Sequence, residues 1–516
     1  MDRRSPSPRD TGRDGHEQQE NDPNQFEVLL PPRTYSHRRK ASLVMADEPR
    51  HPDPDEATAC FVHSLIAGEG LTPARIANFR ISKDKSKLEA DIVDSSAAAA
   101  HDVAITEEDD EEKEDIENTK PDNHLRTKSP RTRANEVESR QLTKKQLSDM
   151  AWNVRNLSKK LDNIRLKLNV KTIFLVTKAG DESVVDATRK VTQWLLSKDR
   201  GVEYVVYIED RLRVDPEFNY EGLLKENPAV ERRLKFWDTK LATDQAYLFD
   251  FVVTLGGDGT VLYTSWLFQH VVPPVLSFSL GSLGFLTKFD FNNYESILGS
   301  AIQGGVMVSL RLRFECTIMR SNPHKRETPS SKKHRDLVEE LIGDESDGTL
   351  SHRPDGVVHI LNDIVVDRGP NPTMSSIELF GGDEHFTTLQ ADGVCIATPT
   401  GSTAYNMAAG GSLSHPDNPV ILITAICAHT LSFRPIILPD TVVLRVGVPY
   451  DARTSSWASF DGRQRVELLP GDYVTVSASR YPFANVLPHG GRGDDWMHSL
   501  SKTLNWNTRQ RQKAMQ

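Results

Sequence analysis

Cysteine is scarce in this chain. Only Cys60, Cys316, Cys395 and Cys427 occur among 516 residues, far apart and never as CxxC. That excludes a disulfide framework and a cysteine-built zinc site, and it points to reduced thiols in a cytoplasmic protein. Long apolar runs are missing too. No stretch reaches roughly 18 apolar residues, so no transmembrane helix is expected and the membrane is not a partner. The first residues, MDRRSPSPRDTGRDGHEQQEND, contain no apolar signal-peptide core, and their acids disfavour a mitochondrial transit peptide. Basic residues are not in excess: 63 Lys and Arg against 73 Asp and Glu leave a net charge of −10, which argues against a nucleic-acid partner.

Aromatic residues are sparse in residues 1–140, where Pro, Ser and charged residues dominate and an acidic run EEDDEE occupies 107–112. Such a segment buries too little apolar surface to offset its ordering entropy, so we expect a disordered low-complexity tail. Within it, SHRRKASL (36–43) puts Arg39 three residues before Ser42. This is either a phosphorylation site for a basophilic kinase or a solvated charge run.

Order begins near residue 141. Leu147, Met150, Val154, Leu157, Leu161, Ile164 and Leu168 recur at three- and four-residue steps, one stripe of an amphipathic helix packed on the folded body. KTIFLVTK (171–178), VEYVVYIED (202–210), YLFDFVVTL (247–255) and PPVLSFSL (273–280) read as buried strands, with a helical pattern at 182–198 between the first two. Alternating strands and helices predict an α/β domain over 141–304, a Rossmann-like parallel sheet. From 305 to 490 short β-rich segments predict a mostly-β, sandwich-like domain, with a charged surface insertion at 321–356. Residues 491–516 read as a C-terminal tail.

Three glycine- or hydroxyl-rich devices stand out. The first is LGGDGT, where Gly256, Gly257, Asp258, Gly259 and Thr260 follow a buried strand and precede a helix. Backbone N–H groups at such a turn can face phosphate oxygens. A plain tight turn would explain the glycines alone. The carboxylate adds nothing to an anion site unless it binds Mg²⁺, takes a proton or bonds a hydroxyl. The second device is GSLGFL (281–286), with Gly284 and Phe285, after the next strand and so on the same carboxyl edge of the sheet. Leu286 reads equally well as ordinary core. The third is DGVCIATPTGSTAYNMAAGG (392–411), a second cradle for an anion or polar ligand, against the plainer reading of a solvated loop.

LGGDGT, NDIVVDRG, TPTGSTAY, HTLSFRPIILP and SFDG, in this order, make residues 145–490 resemble an ATP-dependent NAD kinase of the eukaryotic, fungal-like kind. TPTGSTAY discriminates; GGDGT is shared with lipid kinases of the diacylglycerol and sphingosine type, which are the alternative, beside a non-catalytic dinucleotide sensor. The resemblance implies transfer of the γ-phosphoryl of ATP to the 2′-hydroxyl of the adenosine ribose of NAD, or of NADH. Asp258 would be the general base and Mg²⁺ would be carried with ATP, with no tightly bound organic cofactor. It implies nucleotide contacts by Gly256, Gly257, Gly259, Thr260, Gly284 and Phe285. Dinucleotide contacts would come from Asn362, Asp363, Asp392, Ser402, Thr403, Ala404, Tyr405, Asn406, Met407, Ala408 and Asp461. A homo-oligomer is also implied. Asp363 replaces a more frequent Glu, and Ala425 and Ala428 stand where prolines are common, beside His429, which reads as a structural hydrogen-bonder.

Overall fold

The computed structural model describes residues 138–161, 165–197, 202–281, 283–322, 335–342, 351–429, 432–488 and 494–505. The tail expected over 1–140, Ser42 and Cys60 therefore fall outside the described residues, apart from 138–140.

The first helix, α1 (Lys144–Leu161), lays its stripe across the molecule. Leu147 is buried with Val443 and Ala478 of the β-rich half, whereas Leu161 belongs to the core of the α/β half, and Arg155 is ion-paired to Asp440 at 2.8 Å. Then come β1 (Thr172–Thr177), α2 (Glu182–Leu196), β2 (Val205–Glu209), β3 (Leu234–Trp237), β4 (Phe251–Gly256), α3 (Asp258–Leu267), β5 (Val275–Ser279), β6 (Phe289–Asp290) and α4 (Tyr294–Gly304). The strands read from apolar runs are present but shorter; β4 and β5 are buried throughout, β2 alternates between buried and half-buried residues, and residues 246–248 form a 3₁₀ turn ahead of β4.

The sheet order is β3-β2-β1-β4-β5, all parallel. Strand order reverses between β1 and β4, and at such a switch point the loops diverge to leave a crevice at the carboxyl edge. The GGDGT loop leaves β4 at that point.

The rest of the chain supplies β7 (Met307–Arg311), β8 (Phe314–Ser321), α5 (Leu337–Ile342), β9 (His352–Ile360), β10 (Asp363–Asp367), β11 (Ser375–Gly381), β12 (Glu384–Ala391), β13 (Gly393–Ala397), α6 (Tyr405–Ala408), β14 (Val420–Ile426) and β15 (Ile436–Pro439). It continues through β16 (Leu444–Gly447), β17 (Ser456–Phe460), β18 (Gln464–Leu468), β19 (Tyr473–Ala478) and β20 (Phe483–Leu487) to α7 (Asp494–Leu504). Two six-stranded antiparallel sheets, β15-β14-β13-β10-β17-β18 and β12-β11-β16-β19-β8-β9, share one core that includes Phe314, Ile364, Ile377, Val394, Val446 and Val476. The architecture is thus an α/β domain with a parallel sheet followed by an antiparallel β-rich domain.

Four details differ from the sequence reading. The helical stripe read through Leu168 is helical only to Leu161; Leu166 is bridged to Val306, and Leu168 lies outside any helix. The segment 305–490, read as one mostly-β domain, divides at Leu312-Arg313: β7 pairs with β20 in the first sheet, and β8 starts the second. The first sheet is therefore completed by β20, far along the chain, so 305–490 does not lie wholly in the β-rich half. Residues 494–504, read as tail, form α7, which docks through Trp496 on His415 (5.3 Å between rings) and Ser499 on Lys288 Nζ (3.2 Å). The insertion does join two strands, β8 and β9, but it also carries α5, whose Leu337 and Leu341 pack on Met319, Phe380 and Tyr473.

Candidate active site

Asp258 is the first residue of α3, where its negative charge is favoured by the helix dipole. Its carboxylate accepts four hydrogen bonds, two from the second glycine device and two from Thr287 just after it: Phe285 N–H to Oδ2 at 2.9 Å, and Leu286 N–H, Thr287 N–H and Thr287 Oγ1 to Oδ1, each at 3.0 Å. The two loops read separately from sequence thus interlock through one side chain. Gly284 is the residue that permits it, since a Cβ there would stand 2.2 Å from Asp258 Oδ1. Phe285 contributes its amide to the same cradle, and Leu286 is core, 3 % exposed. Gly257 and Gly259 are exposed with open space around them, whereas Thr260 is buried beneath the turn.

The β-rich half meets this loop through the turn joining β17 to β18. Asp461 and Gly462 both sit at positive φ, +48° and +65°, and Arg463 N–H returns to Phe460 O, closing a type I′ turn. Arg463 Nη2 donates to Gly259 O at 3.1 Å, and its guanidinium lies over the Tyr263 ring, 4.5 Å from the centroid.

Asp461, expected to contact the dinucleotide, spends its carboxylate inside the protein. Its carboxylate turns inward and accepts Leu361 N–H (2.8 Å), Asn362 N–H (2.8 Å) and Asp363 N–H (3.0 Å). It holds the crossover from β9 to β10. Burial pushes its carboxyl up, opposed by those three amides. Asp363 is 6 % exposed, and burial together with the Asp461 charge pushes it up to about 7.

The TPTGSTAY segment lies against the same crossover. Thr398 N–H donates to Asn362 O at 2.9 Å, and Gly401 is mandatory because a Cβ would stand 2.1 Å from that oxygen. Beyond it the loop is pinned from inside. Ser402 Oγ donates to Ser414 O, and Thr403 Oγ1 donates to Thr400 O. Asn406 is fully buried, with its amide NH₂ given to Ser402 O and Ser412 O and its oxygen taken by Thr424. Ser402 and Asn406 therefore shape the cradle from within. Tyr405, at its surface, is 47 % exposed and shares its surroundings with Cys395, Asp367, Cys427 and Asp363. Ala404 and Met407 bracket it, and Ala408 ends α6.

Asp392 is not gathered in. It stands at the far end of β13 from Thr398 and is ion-paired with Arg368 at 2.9 Å. His429 is exposed, and its backbone N–H donates to Gln390 O. Ala425 and Ala428 pack partly against the sandwich core.

Sequence reasoning missed Thr287, Arg463 and Arg313. Arg313 is fully buried and closes the other end of α3. It donates to Phe268 O (2.8 Å), Gln269 O (3.1 Å) and His270 O (2.7 Å), and to Tyr481 O (2.6 Å) ahead of β20. Burial lowers its guanidinium to about 9, and the helix C-terminus supplies the compensating negative end. Nothing in RLRF marks this role. The Arg463 position was discoverable, because it follows the recognised Asp-Gly directly.

A phosphate-type loop at the switch point of a parallel sheet, joined through the Asp461–Arg463 turn to the crossover that holds a hydroxyl-rich loop of the β-rich half, defines a two-domain nucleotide-site protein. The ATP-NAD kinase N-terminal domain model matches residues 173–306, and the ATP-NAD kinase C-terminal domain model matches 361–487. An NAD(+) kinase of Saccharomyces cerevisiae is 42% identical over 72% of this chain and 66% of its own length, and an ATP-NADH kinase of the same yeast is 39% identical over 71% of this chain and 70% of its own. The crystal structure of yeast NADH kinase complexed with NADH superposes with a TM-score of 0.51 at 29% identity, covering 67% of this chain and 90% of that one. The chain belongs to the ATP-NAD kinase family. None of these matches is a lipid kinase. No described helix is long and apolar enough to cross a membrane.

Proposed function

We propose that the GGDGT cleft binds the phosphates of ATP and that the γ-phosphoryl passes to the 2′-hydroxyl of the adenosine ribose of NAD, with NADH as the second acceptor to be assayed. The supporting observation is the acceptor geometry at Asp258. Each oxygen of a carboxylate offers two lone-pair sites. Oδ1 already takes three donors, whereas Oδ2 takes only the Phe285 amide, so Oδ2 retains capacity for a substrate hydroxyl. The same hydrogen bonds hold that oxygen in one place, which is what proton removal at an in-line phosphoryl acceptor needs. General-base help of this kind is worth about 10²–10⁴-fold.

Asn362, Asp363 and Tyr405 form the dinucleotide side in this reading. The exposed Tyr405 ring offers a stacking face, and Asn362 lies where Asp461 fixes the backbone. Mg²⁺ arrives with ATP, its charge opposing that of the transferring phosphoryl. Cytoplasm is the compartment proposed, on the free thiols of Cys316, Cys395 and Cys427.

The test incubates the protein with ATP, Mg²⁺ and NAD or NADH and couples product to an NADP-specific dehydrogenase. Steady NADP formation is the expected result. No product from either acceptor, with label transferred to a lipid instead, would overturn the reading.

A further inference from the structure

We propose that Arg463 is a positioning residue for phosphoryl transfer, setting the GGDGT loop against the dinucleotide side of the cleft. The inference rests on the kinase reading above, and wild-type NADP formation in the same assay separates failure of one from failure of the other.

α3 is held at both ends by contacts outside its own sheet. Its C-terminal end is anchored to the β-rich half by buried groups. Arg313 closes the last carbonyls, and Gln269 exchanges two hydrogen bonds with the His359 backbone, at 2.8 Å and 3.2 Å. These contacts fix the axis of the helix but lie about three turns from Asp258, roughly 15 Å at 1.5 Å per residue. At the catalytic end, the cradle formed by residues 285–287 belongs to the same α/β sheet as the loop, so it cannot register one half of the molecule against the other. At that end Leu361, next to Asn362, shares a buried core with Val261 and Leu286, and among the described residues Arg463 adds a side-chain hydrogen bond to the loop itself.

Its geometry suits that task. The Nη2 bond goes to Gly259 O, the residue next to Asp258, and the guanidinium plane rests on Tyr263, one helical turn later. One side chain therefore grips one turn of α3 by a directional bond and by a cation–π contact. At its other end Arg463 belongs to a type I′ turn with two successive residues at positive φ, a stiff support. Two residues earlier, Asp461 holds the amides of Leu361, Asn362 and Asp363. The three-residue turn thus connects Asn362 and Asp363 on one side to Asp258 and Gly259 on the other. Arg463 is itself exposed, which separates its contribution to alignment from any contribution to the core.

Misplacement of reacting groups by about 1 Å can reduce turnover 10²-fold. The experiment compares wild type with R463M, which keeps the aliphatic stem over Tyr263 but loses the donor and charge, and with R463K, which keeps a charge and a donor. R463M is expected to lower kcat at least about tenfold, with the KM values for NAD and ATP each within about threefold, and R463K to recover most of that loss. Both thermal midpoints should stay within about 2 °C of wild type, as for an exposed side chain. Wild-type kcat in R463M would overturn the proposal. So would a rise in the KM for ATP with kcat retained, which would make Arg463 a phosphate ligand, or equal losses in both variants that follow a lowered midpoint.

Discussion

Asp258 Oδ1 occupies the space that a side chain on residue 284 would need: a Cβ built on Gly284 stands 2.2 Å from that oxygen. The glycine is therefore a requirement of the aspartate's hydrogen-bonded position. G284A should push apart the cradle and the GGDGT loop and lower kcat by roughly 10²-fold, with the fold retained. Steady-state kinetics beside a circular-dichroism melt measure both quantities. Unchanged kcat would mean that the interlock of the two loops is not required for turnover.

The Asp461 carboxylate makes three charge-assisted bonds to backbone amides, each worth about 1.5–3 kcal/mol against an unsatisfied donor. Recovering the cost of its partly buried charge offsets some of that, so D461A should lose on the order of 3 kcal/mol in urea unfolding. It should also raise the KM for NAD, since Asn362 and Asp363 lose their support. A stable D461A with a wild-type KM would return Asp461 to an ordinary turn residue.

Asp363 carries a pH signature. Its carboxyl is raised from 3.8 to about 7 in the fold, so between those values the folded chain holds a proton that the unfolded chain has released. Stability from this group is fully present below the unfolded value and is lost as pH rises through the folded one, with a slope approaching about 1.4 kcal/mol per pH unit. D363N removes the titration. The stability of D363N relative to wild type should therefore climb from pH 4 to pH 7, read from urea midpoints at each pH. A difference independent of pH would contradict the assignment.

Tyr405 presents an exposed ring at the mouth of the TPTGSTAY loop. If it stacks on a base of the dinucleotide, Y405A loses about 1–3 kcal/mol of binding, a rise of roughly 5- to 150-fold in the KM for NAD with kcat nearly kept. Isothermal titration with NAD and steady-state kinetics give the two numbers. A fall in kcat at constant KM would place the ring elsewhere in the reaction.

The sequence was most legible where one local physical rule decides the outcome. Continuous apolar runs announced β1, β4 and β5 because strands covered on both faces have no polar alternation to hide them. The glycine loop after β4 followed from its position before a helix. The return of β7 and β20 to the first sheet was not legible, because a short apolar strand reads alike in either sheet and the pairing Ser309 with Asn485 spans 176 residues. The same limit applied in the site. TPTGSTAY and the Asp-Gly of SFDG could be recognised as family motifs, but not that Asp461 faces inward, that the Asn406 amide is spent on Ser402, Ser412 and Thr424, or that Arg313 closes α3 from the junction of the two sheets. Those facts depend on which backbone groups tertiary folding brings within about 3 Å of a side chain, and no local pattern encodes that.

The central claim is that Asp258 takes the proton of the acceptor hydroxyl. The direct measurement is single-turnover NADP formation by D258N, run beside NAD binding by the same preparation. The account predicts binding within several-fold of wild type and a turnover lower by about 10²–10⁴-fold. A D258N enzyme that binds NAD and turns over at a near-normal rate would contradict it.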